Sequence, residues 1–391
     1  MKNTPKTPPL KLNTKITQPT FKKPVFNSLA DSVERASTVV FDSVAAMRER
    51  DWYDKNQYTY GLLGTPTTRK LAAQLAMIDD VAHCLLAPSG LSAISCVMLG
   101  LLKSGDVLLL PSNVYGPALV MAKMLQTQFG VQYQLYNPAE PEKIVFCKDT
   151  KLIWVETPGS VTMEIADLSA IATRAHAHGV TVAIDATWAA GIALPVFKLG
   201  ADISIQALTK YQSGGSDVMM GAITTNNDAL YKTLYDATIN LGIGVSPEDC
   251  RLILRSLPHY ALRYHAQDKA ARHIASQLST HPAIEHVLHP ALKNAPGNAI
   301  WQRDFSAAAS LFSVVFKPHI SQQAIDTCIE SLQLFHLGFS WGGAVSLVVP
   351  FTRSQMHTNY TYDGLLVRFY IGLEDENDLL EDLFQALRML S

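Results

Sequence analysis

Short, almost entirely apolar segments alternate with helical patterns between about residue 80 and residue 225. The apolar segments are DVLLLP (106–111), VQYQLY (131–136), KLIWVETPG (151–159), VTVAIDATW (180–188), ADISIQ (201–206) and MGAITT (220–225). Apolar residues recur at helical spacing over 116–130, and Gly130 ends that pattern. Strands that are apolar throughout are buried on both faces, and intervening helices favour parallel pairing. The pattern predicts a large α/β domain with a mainly parallel sheet.

The pattern changes after about residue 256. Strand-like runs lie at 308–316, 346–350 and 365–372, and helical patterns at 321–333 and from Asp375 onward. They predict a smaller α+β domain with an antiparallel sheet. The Lys-, Thr- and Pro-rich first 25 residues predict a mobile arm. We therefore predict three parts: an N-terminal arm over 1–62, a large domain over 63–256 and a C-terminal domain over 257–391.

Charge and cysteine content exclude several classes of protein. The 32 Lys and Arg residues are scattered and balanced by 34 Asp and Glu, so nothing attracts nucleic acid or an anionic membrane. Residues 84–102 carry no charge, but Pro88, Ser89 and Gly90 interrupt them. A strand, a turn and a buried helix are therefore favoured over a membrane span. The chain start is no secretory signal, and five spaced cysteines are typical of free thiols, so we expect a cytoplasmic protein.

Ligands of such sheets bind beyond the carboxyl ends of the strands, so residues at those ends are the candidates for chemistry. Gly90 and Leu91 follow one strand, and free N–H groups at the start of the next helix favour a phosphate. An ordinary helix N-cap is the alternative. Asp185 ends another apolar strand, where its carboxylate needs a cation such as a protonated ring nitrogen, or else caps the following loop.

A single lysine, Lys210, follows the next strand and can reach the same edge of the sheet as Asp185. Poor solvation favours the neutral amine, which imine formation with an aldehyde requires. The preceding Thr209 offers a hydroxyl to a phosphate. The alternative is a lysine that extends to the solvated rim of the sheet.

Tyr115 stands in SNVYGPA, where a strand connection opens, and is either a ring-stacking residue or a core tyrosine. A phosphate turn, a stacking aromatic, a carboxylate and an imine lysine together describe one ligand. We predict that this ligand is pyridoxal 5′-phosphate (PLP).

Arg368 lies inside the apolar strand LLVRFYIG. A guanidinium there suits a bidentate clamp on an amino-acid carboxylate, and a structural pair with Glu374 or Asp375 is the alternative. Ser340 and Trp341 precede two glycines in a turn that could offer backbone donors to the same carboxylate.

Histidines give no metal-binding pattern. His176 and His178 are two residues apart on a helix and so face different directions. His281, His286 and His289 lie near prolines and charged residues, where we expect solvated loops. We predict no metal site.

Taken together, these residues resemble the transsulfuration enzymes of the Cys/Met-metabolism class, which are fold-type I PLP-dependent proteins of the transferase fold. The segments that carry the resemblance are ASTVVFDSV (36–44), YGLLGT (60–65), ETPGSVTMEIAD (156–167), AIDATWAAG (183–191), SIQALTKY (204–211), FSWGG (339–343) and VRFYIGLED (367–375). The collinear match over nearly the whole chain is specific for the family and less specific for the reaction.

The resemblance implies a role for each candidate. Lys210 would bind the cofactor covalently, Asp185 would pair with its pyridine nitrogen, and Tyr115 would stack on its ring, and all three would take part in catalysis. The cofactor phosphate would be held by Gly90, Leu91 and Thr209, and Ser160 would lie near the cofactor's phenolic oxygen. The substrate carboxylate would be bound by Arg368, Ser340 and Trp341.

The resemblance also implies a homo-oligomer and shows where this chain departs from the family. Tyr60 matches a tyrosine that reaches the neighbouring subunit's phosphate, which implies that the arm contributes to that subunit, with a dimeric catalytic unit and a tetramer of two dimers. The family places an arginine shortly after this tyrosine, whereas Leu62 and Leu63 stand here. Ala207 replaces a serine, and Phe339 replaces a tyrosine before SWGG.

The implied activity is α,β-elimination of L-cystathionine, which gives homocysteine, pyruvate and ammonia in methionine biosynthesis. Within the family, the alternatives are a γ-lyase, a γ-synthase, a cysteine desulfhydrase or an alanine racemase. From other classes, a nicotinamide dehydrogenase is disfavoured because no strand ends in its glycine-rich fingerprint. A non-catalytic PLP-binding protein is the remaining alternative.

Overall fold

Two sheets and the helices that cover them form the computed structural model, which describes residues 10–17, 29–356 and 360–390. The helices are α1 Leu12–Thr17, α2 Val44–Arg48, α3 Pro66–Ile78, α4 Gly90–Leu101, α5 Gly116–Phe129, α6 Leu168–Ala177, α7 Asp228–Asn240, α8 Pro247–Leu278, α9 Asn298–Asp304, α10 Gln322–Glu330 and α11 Glu376–Leu387. The strands are β1 His83–Ala87, β2 Val107–Pro111, β3 Gln132–Tyr136, β4 Thr150–Glu156, β5 Thr181–Asp185, β6 Ile203–Ala207, β7 Gly221–Thr225, β8 Ile284–Leu288, β9 Leu311–Phe316, β10 His336–Leu337, β11 Leu347–Phe351 and β12 Leu366–Tyr370.

The larger sheet has the strand order β1-β7-β6-β5-β4-β2-β3. Its strands run in one direction except β7, which is antiparallel to both β1 and β6. The predicted α/β class with a mainly parallel sheet is confirmed. Because β1, β4, β5 and β6 share a direction, the residues that follow them meet at one edge, and Glu156 lies beside Asp185 in register.

Helices cover both faces of this sheet, as its apolar strands require. Along β4, Leu152 and Trp154 pack with α4 and α5 on one face, whereas Ile153 and Val155 pack with α6 and α8 on the other. A strand alternates its side chains between faces, so both faces are core only when every residue is apolar.

The smaller sheet has the order β10-β11-β12-β9-β8. Its pairs are antiparallel, as predicted, except that the two-residue strand β10 pairs in parallel with β11. β12 lies at its centre and carries Arg368, opposite Val349 on β11 and Ser313 on β9. The backbone at Arg368 is therefore held by strands on both sides.

The 32-residue helix α8 crosses the position at which the sequence places the start of the C-terminal domain, between residues 256 and 257. Leu257 and Tyr264 belong to the core of the larger sheet, and Ile274 and Leu278 to the core of the smaller one. Pro258 lies inside the helix. The domain ranges remain predictions, although no loop separates the two sheets at this point.

Much of the predicted N-terminal arm, residues 1–9 and 18–28, lies outside the described residues. Within it, α1 is an ordered helix, because its Ile16 is buried where α1 packs against α3 and α8. The mobile-arm prediction is therefore wrong for this segment. Among the described residues, no helix is long and apolar enough to cross a membrane. The uncharged stretch 84–102 instead forms β1 and α4, as predicted.

Candidate active site

Lys210 lies just beyond β6, at the edge where the parallel strands end. Its Nζ donates a hydrogen bond to Ser340 Oγ at 2.5 Å and lies 5.3 Å from the centre of the Trp341 ring. Burial lowers the pKa of Lys210 to about 8, with a further contribution from the positive charge of Arg368, while Asp185 opposes the shift. The structure therefore brings Lys210, Ser340 and Trp341 together and favours the neutral amine.

Asp185 is the last residue of β5. Its Oδ1 accepts a hydrogen bond from the Thr187 main-chain N–H at 3.0 Å, so it also caps the following loop, as the alternative interpretation predicted. Burial raises the pKa of Asp185, and hydrogen bonds from Thr187 and the charge of Lys210 act in the opposite direction. A half-buried carboxylate of this kind is stabilised by a cation placed next to it.

The first turn of α4 lies against the end of β6. A Cβ on Gly90 would stand 2.6 Å from the Ala207 Cβ, so only glycine allows this approach. Ser89 caps the helix by accepting from the Ser92 N–H at 3.0 Å. The N–H groups of Gly90 and Leu91 precede the first possible intrahelical bond and are oriented to bind an anion.

Thr209 is close to this turn, but its hydroxyl is engaged with the backbone before β7. It accepts from the Met220 N–H at 3.0 Å and lies 3.3 Å from the Met220 carbonyl oxygen. Its contact with a phosphate remains a prediction.

Tyr115 sits at the start of α5, and its main-chain N–H donates to both carboxylate oxygens of Glu156, each at 2.9 Å. The residue is 42% exposed, so it is not a core tyrosine. Burial of the phenol raises its pKa, with added contributions from Asp185 and Glu156, whereas Arg368 lowers it. Tyr115 therefore shares an electrostatic environment with Asp185 and Arg368.

Arg368 has no ion pair among the residues that the structure describes. The two carboxylates considered as structural partners are used elsewhere: Glu374 accepts from Ser346, at 2.7 Å from its N–H and 2.8 Å from its hydroxyl, and Asp375 caps α11. Burial lowers the pKa of Arg368 to about 10. A half-buried guanidinium with no counter-ion in the described ranges is stabilised by an anion, and a ligand carboxylate would supply one.

The turn over 340–343 packs closely against the backbone of Lys210. A Cβ on Gly342, which has a φ of 93°, would lie 2.4 Å from the Lys210 carbonyl carbon. Gln267 Nε2, at 2.7 Å, and the Tyr370 hydroxyl both donate to the Gly343 carbonyl oxygen. The turn is thus fixed from α8 and β12, and it holds Ser340 against the lysine amine.

Ser160 lies in a strained loop beside Tyr115. Its main-chain N–H donates to the Asn113 carbonyl oxygen at 3.1 Å, which ties the loop to the segment before Tyr115. Val161 and Met163 have φ values of 70° and 61°, and a β-branched residue rarely adopts such a value outside functional sites. The contact of Ser160 with a cofactor remains a prediction.

Tyr60 is 48% exposed and pairs with Thr38 in an isolated β-bridge. In the described part of the chain it makes no hydrogen bond or ring contact with the other candidate residues, and its role toward a second subunit remains a prediction. Leu62 and Leu63 line a separate cavity between the segment around residue 60, α3 and α7.

No group of three or more His, Cys, Asp or Glu side chains within the described ranges could hold a metal ion. The expectation that His289 is solvated is wrong. Its ring is fully buried, its Nδ1 accepts from the Ala291 N–H at 3.2 Å, and burial lowers its pKa to about 3. Proximity to a proline therefore did not indicate exposure.

Glu156 is the site residue that sequence reasoning missed. It ends an apolar strand, which is the same signal that singled out Asp185 on the neighbouring strand. The position of a charged residue at the end of an apolar strand therefore indicates Glu156 as well as Asp185.

These residues fit PLP. Lys210 supplies a half-buried amine, Asp185 a half-buried carboxylate, Tyr115 an exposed ring, and the α4 N-terminus an anion cradle that a Cβ at position 90 would close. Arg368 supplies a cation, with no ion pair among the described residues, for a carboxylate on the substrate.

The chain belongs to the Cys/Met metabolism PLP-dependent enzyme family, whose model matches residues 13–388. It is therefore an enzyme of that family with PLP as its cofactor, as predicted. It is 37% identical to a putative cystathionine β-lyase of Rhizobium johnstonii, over 90% of this chain and 89% of that protein. It is 32% identical to an L-alanine/L-glutamate racemase of Wolbachia pipientis wMel, over 93% of each. The crystal structure of metB from Corynebacterium glutamicum matches with a TM-score of 0.89 and 27% identity, covering 98% of this chain and 99% of that one.

Proposed function

We propose that the protein catalyses α,β-elimination of L-cystathionine to homocysteine, pyruvate and ammonia. The observation that carries the proposal is the half-buried Lys210 amine, with a pKa lowered to about 8, held by Ser340 near Arg368, which has no ion pair in the described part of the chain. The name of the Rhizobium relative supports the choice of cystathionine, whereas the racemase name keeps amino-acid racemisation as the second candidate.

Each residue has a task that its position permits. Arg368 binds the α-carboxylate of the substrate through its planar fork, which places the Cα proton near Lys210. The Lys210 amine takes this proton at Nζ and then donates it to the departing sulfur. Bound PLP supplies the electron sink for the Cα electron pair. Ser340 orients Nζ throughout, and the half-buried Asp185 provides the negative charge.

We further propose that the catalytic unit is a homodimer in which Tyr60 contributes to the neighbouring subunit. Several large apolar side chains in the segment before Tyr60 are exposed, and Val40 reaches 88%. A second copy of the chain that covers this segment would remove that apolar surface from water.

Replacing Lys210 tests the reaction directly. Purified enzyme with PLP and L-cystathionine should release pyruvate, and Lys210→Ala should lower kcat by at least about 100- to 10,000-fold because the proton acceptor is lost. The exposed Lys198→Ala is the matched control. Release of 2-oxobutyrate would indicate γ-elimination, and D-amino acid would indicate racemisation. Substantial elimination by Lys210→Ala would contradict the proposal.

A further inference from the structure

Glu156 connects two of the site's elements. It is 5% exposed, at the end of β4, and its Oε1 accepts from the Trp154 indole N–H at 3.3 Å as well as from the Tyr115 N–H at 2.9 Å. The main-chain bond fixes the position at which Tyr115 leaves the β2–α5 loop. Trp154 is itself fully buried, so its indole N–H cannot turn to water if Glu156 is removed.

Glu156 also lies next to a second carboxylate. It is paired in register with Asp185 on β5, and side chains of paired residues on adjacent strands share a face of the sheet. The titratable groups around it are Asp185, the phenol of Tyr115 and the phenol of Tyr136 on β3. No lysine, arginine or histidine in the described ranges forms an ion pair with Glu156, whereas Lys210 acts on Asp185.

We propose that Glu156 is a positioning residue of the active site, which holds Tyr115 in place and carries the proton of the Glu156–Asp185 pair, so that the negative charge stays on Asp185. Two neighbouring carboxylates, one buried and one half-buried, cannot both ionise without a large free-energy cost, and the one near a cation keeps the charge. Burial and the neighbouring Asp185 raise the pKa of Glu156 well above its usual range. The role of Glu156 in catalysis rests on the proposed function, whereas its protonation state does not depend on which reaction the enzyme catalyses.

The hydrogen bonds leave room for the proton. Both N–H donors reach Oε1, whereas Oε2 shares only the Tyr115 N–H, at 2.9 Å. A glutamine keeps both donors on its carbonyl oxygen and places its amide where the protonated oxygen would be, so it loses only the second branch of the Tyr115 N–H bond, which an amide nitrogen cannot accept. Glu156→Gln is therefore a mimic of the neutral acid, and Glu156→Ala removes both interactions.

Unfolding of the cofactor-free protein tests the charge state without any turnover. If Glu156 is neutral in the folded chain, it ionises only on unfolding at pH values above its ordinary pKa, so the wild type loses stability as pH rises from about 5 to 8. Glu156→Gln lacks this loss, and the ratio of the two unfolding constants should change by up to roughly tenfold per pH unit. The same substitution at the exposed Glu381 is the control. A pH-independent ratio would overturn the proposal.

Two further measurements test the positioning role and the charge state of Glu156 separately. Glu156→Ala should weaken PLP binding by about 10- to 100-fold, the range for groups that support a ligand through another residue, and Glu156→Gln should restore most of it. Equal affinity in Glu156→Ala and wild type would exclude the positioning role. If Glu156→Gln fails to fold, the infrared spectrum of wild-type protein with isotope-labelled glutamate replaces this measurement. A carboxylic-acid band at pH 7 supports a protonated Glu156. Absence of the band overturns the assignment of the proton to Glu156. If the wild type releases no pyruvate from L-cystathionine while the results for Glu156 are as expected, only the proposed reaction is contradicted.

Discussion

At the scale of single residues, the site contains two half-buried basic side chains, Lys210 and Arg368, whose charges influence each other. The charge of Arg368 contributes to the lowered pKa of Lys210, and no carboxylate in the described ranges neutralises Arg368. A substrate carboxylate that binds Arg368 would cancel part of this repulsion. Substrate binding and the proton affinity of the Lys210 amine are therefore linked.

The variant Arg368→Lys tests whether binding of the substrate carboxylate requires the planar guanidinium group or only a positive charge at this position. The variant keeps the cation but loses the planar fork, so KM for L-cystathionine should rise by about 10- to 100-fold, as expected for one lost charge-assisted hydrogen bond. Steady-state kinetics measure the change. Arg353→Lys is the control, because the contacts of that exposed guanidinium within the described ranges are the Tyr362 and Asp363 carbonyl oxygens and the Tyr360 ring. A KM equal to that of the wild type would mean that Arg368 does not bind the carboxylate.

At the scale of elements, the anion cradle at the N-terminus of α4, which we propose holds the cofactor phosphate, depends on how closely α4 approaches β6. Gly90→Ala would force its new methyl group against Ala207, so the helix must shift and its free N–H groups move with it. We expect PLP affinity to fall by at least about tenfold, by analogy with other groups that position a ligand.

Gly116→Ala is the matched control for this change. Gly116 is also the first residue of a helix, but an added Cβ there meets nothing within 4 Å. Spectroscopic titration of cofactor-free protein measures the affinity, and circular dichroism checks the fold. If Gly90→Ala and Gly116→Ala bind PLP equally well, the cradle does not lie at α4.

The elements show what the sequence could and could not predict. The apolar strands and α5 followed from periodicity, because burial on two faces leaves an unmistakable pattern. The length of α8 did not follow, because Pro258 is a usual helix-breaking signal, yet the helix continues through it with both halves buried. At the site, strand ends located Asp185 and Lys210, but the pairing of Lys210 with Ser340, 130 residues apart in sequence, required the fold.

At the scale of the whole molecule, the single chain leaves apolar surface that a second copy could cover. Exposed apolar side chains recur before and around Tyr60, among them Leu29, Val40 and Val44. Leu62 stands where the family carries an arginine, so the partner's contribution to the phosphate would rest on Tyr60 and on neutral contacts.

Mixing two inactive variants tests whether Tyr60 acts across subunits. Lys210→Ala and Tyr60→Ala chains, unfolded and refolded together, would form mixed dimers in which one site has both residues. About a quarter of wild-type activity should return on random pairing of a twofold-symmetric dimer, if Tyr60 serves the partner's site. Each variant refolded alone is the control. No recovery, or a single-chain mass of 42.8 kDa by sedimentation, would contradict the dimeric site.

Helix α8 has a consequence for how this polypeptide can be divided. Because Leu257 and Tyr264 pack in one core and Ile274 and Leu278 in the other, a cut at residue 256 would divide one continuous helix between two fragments. Most of the cut helix, including Leu257 and Tyr264, would leave with the C-terminal fragment, and the larger sheet would lose side chains that fill its core. The two sheets are therefore not interchangeable modules, and recombination between relatives would have to place its crossover outside this helix.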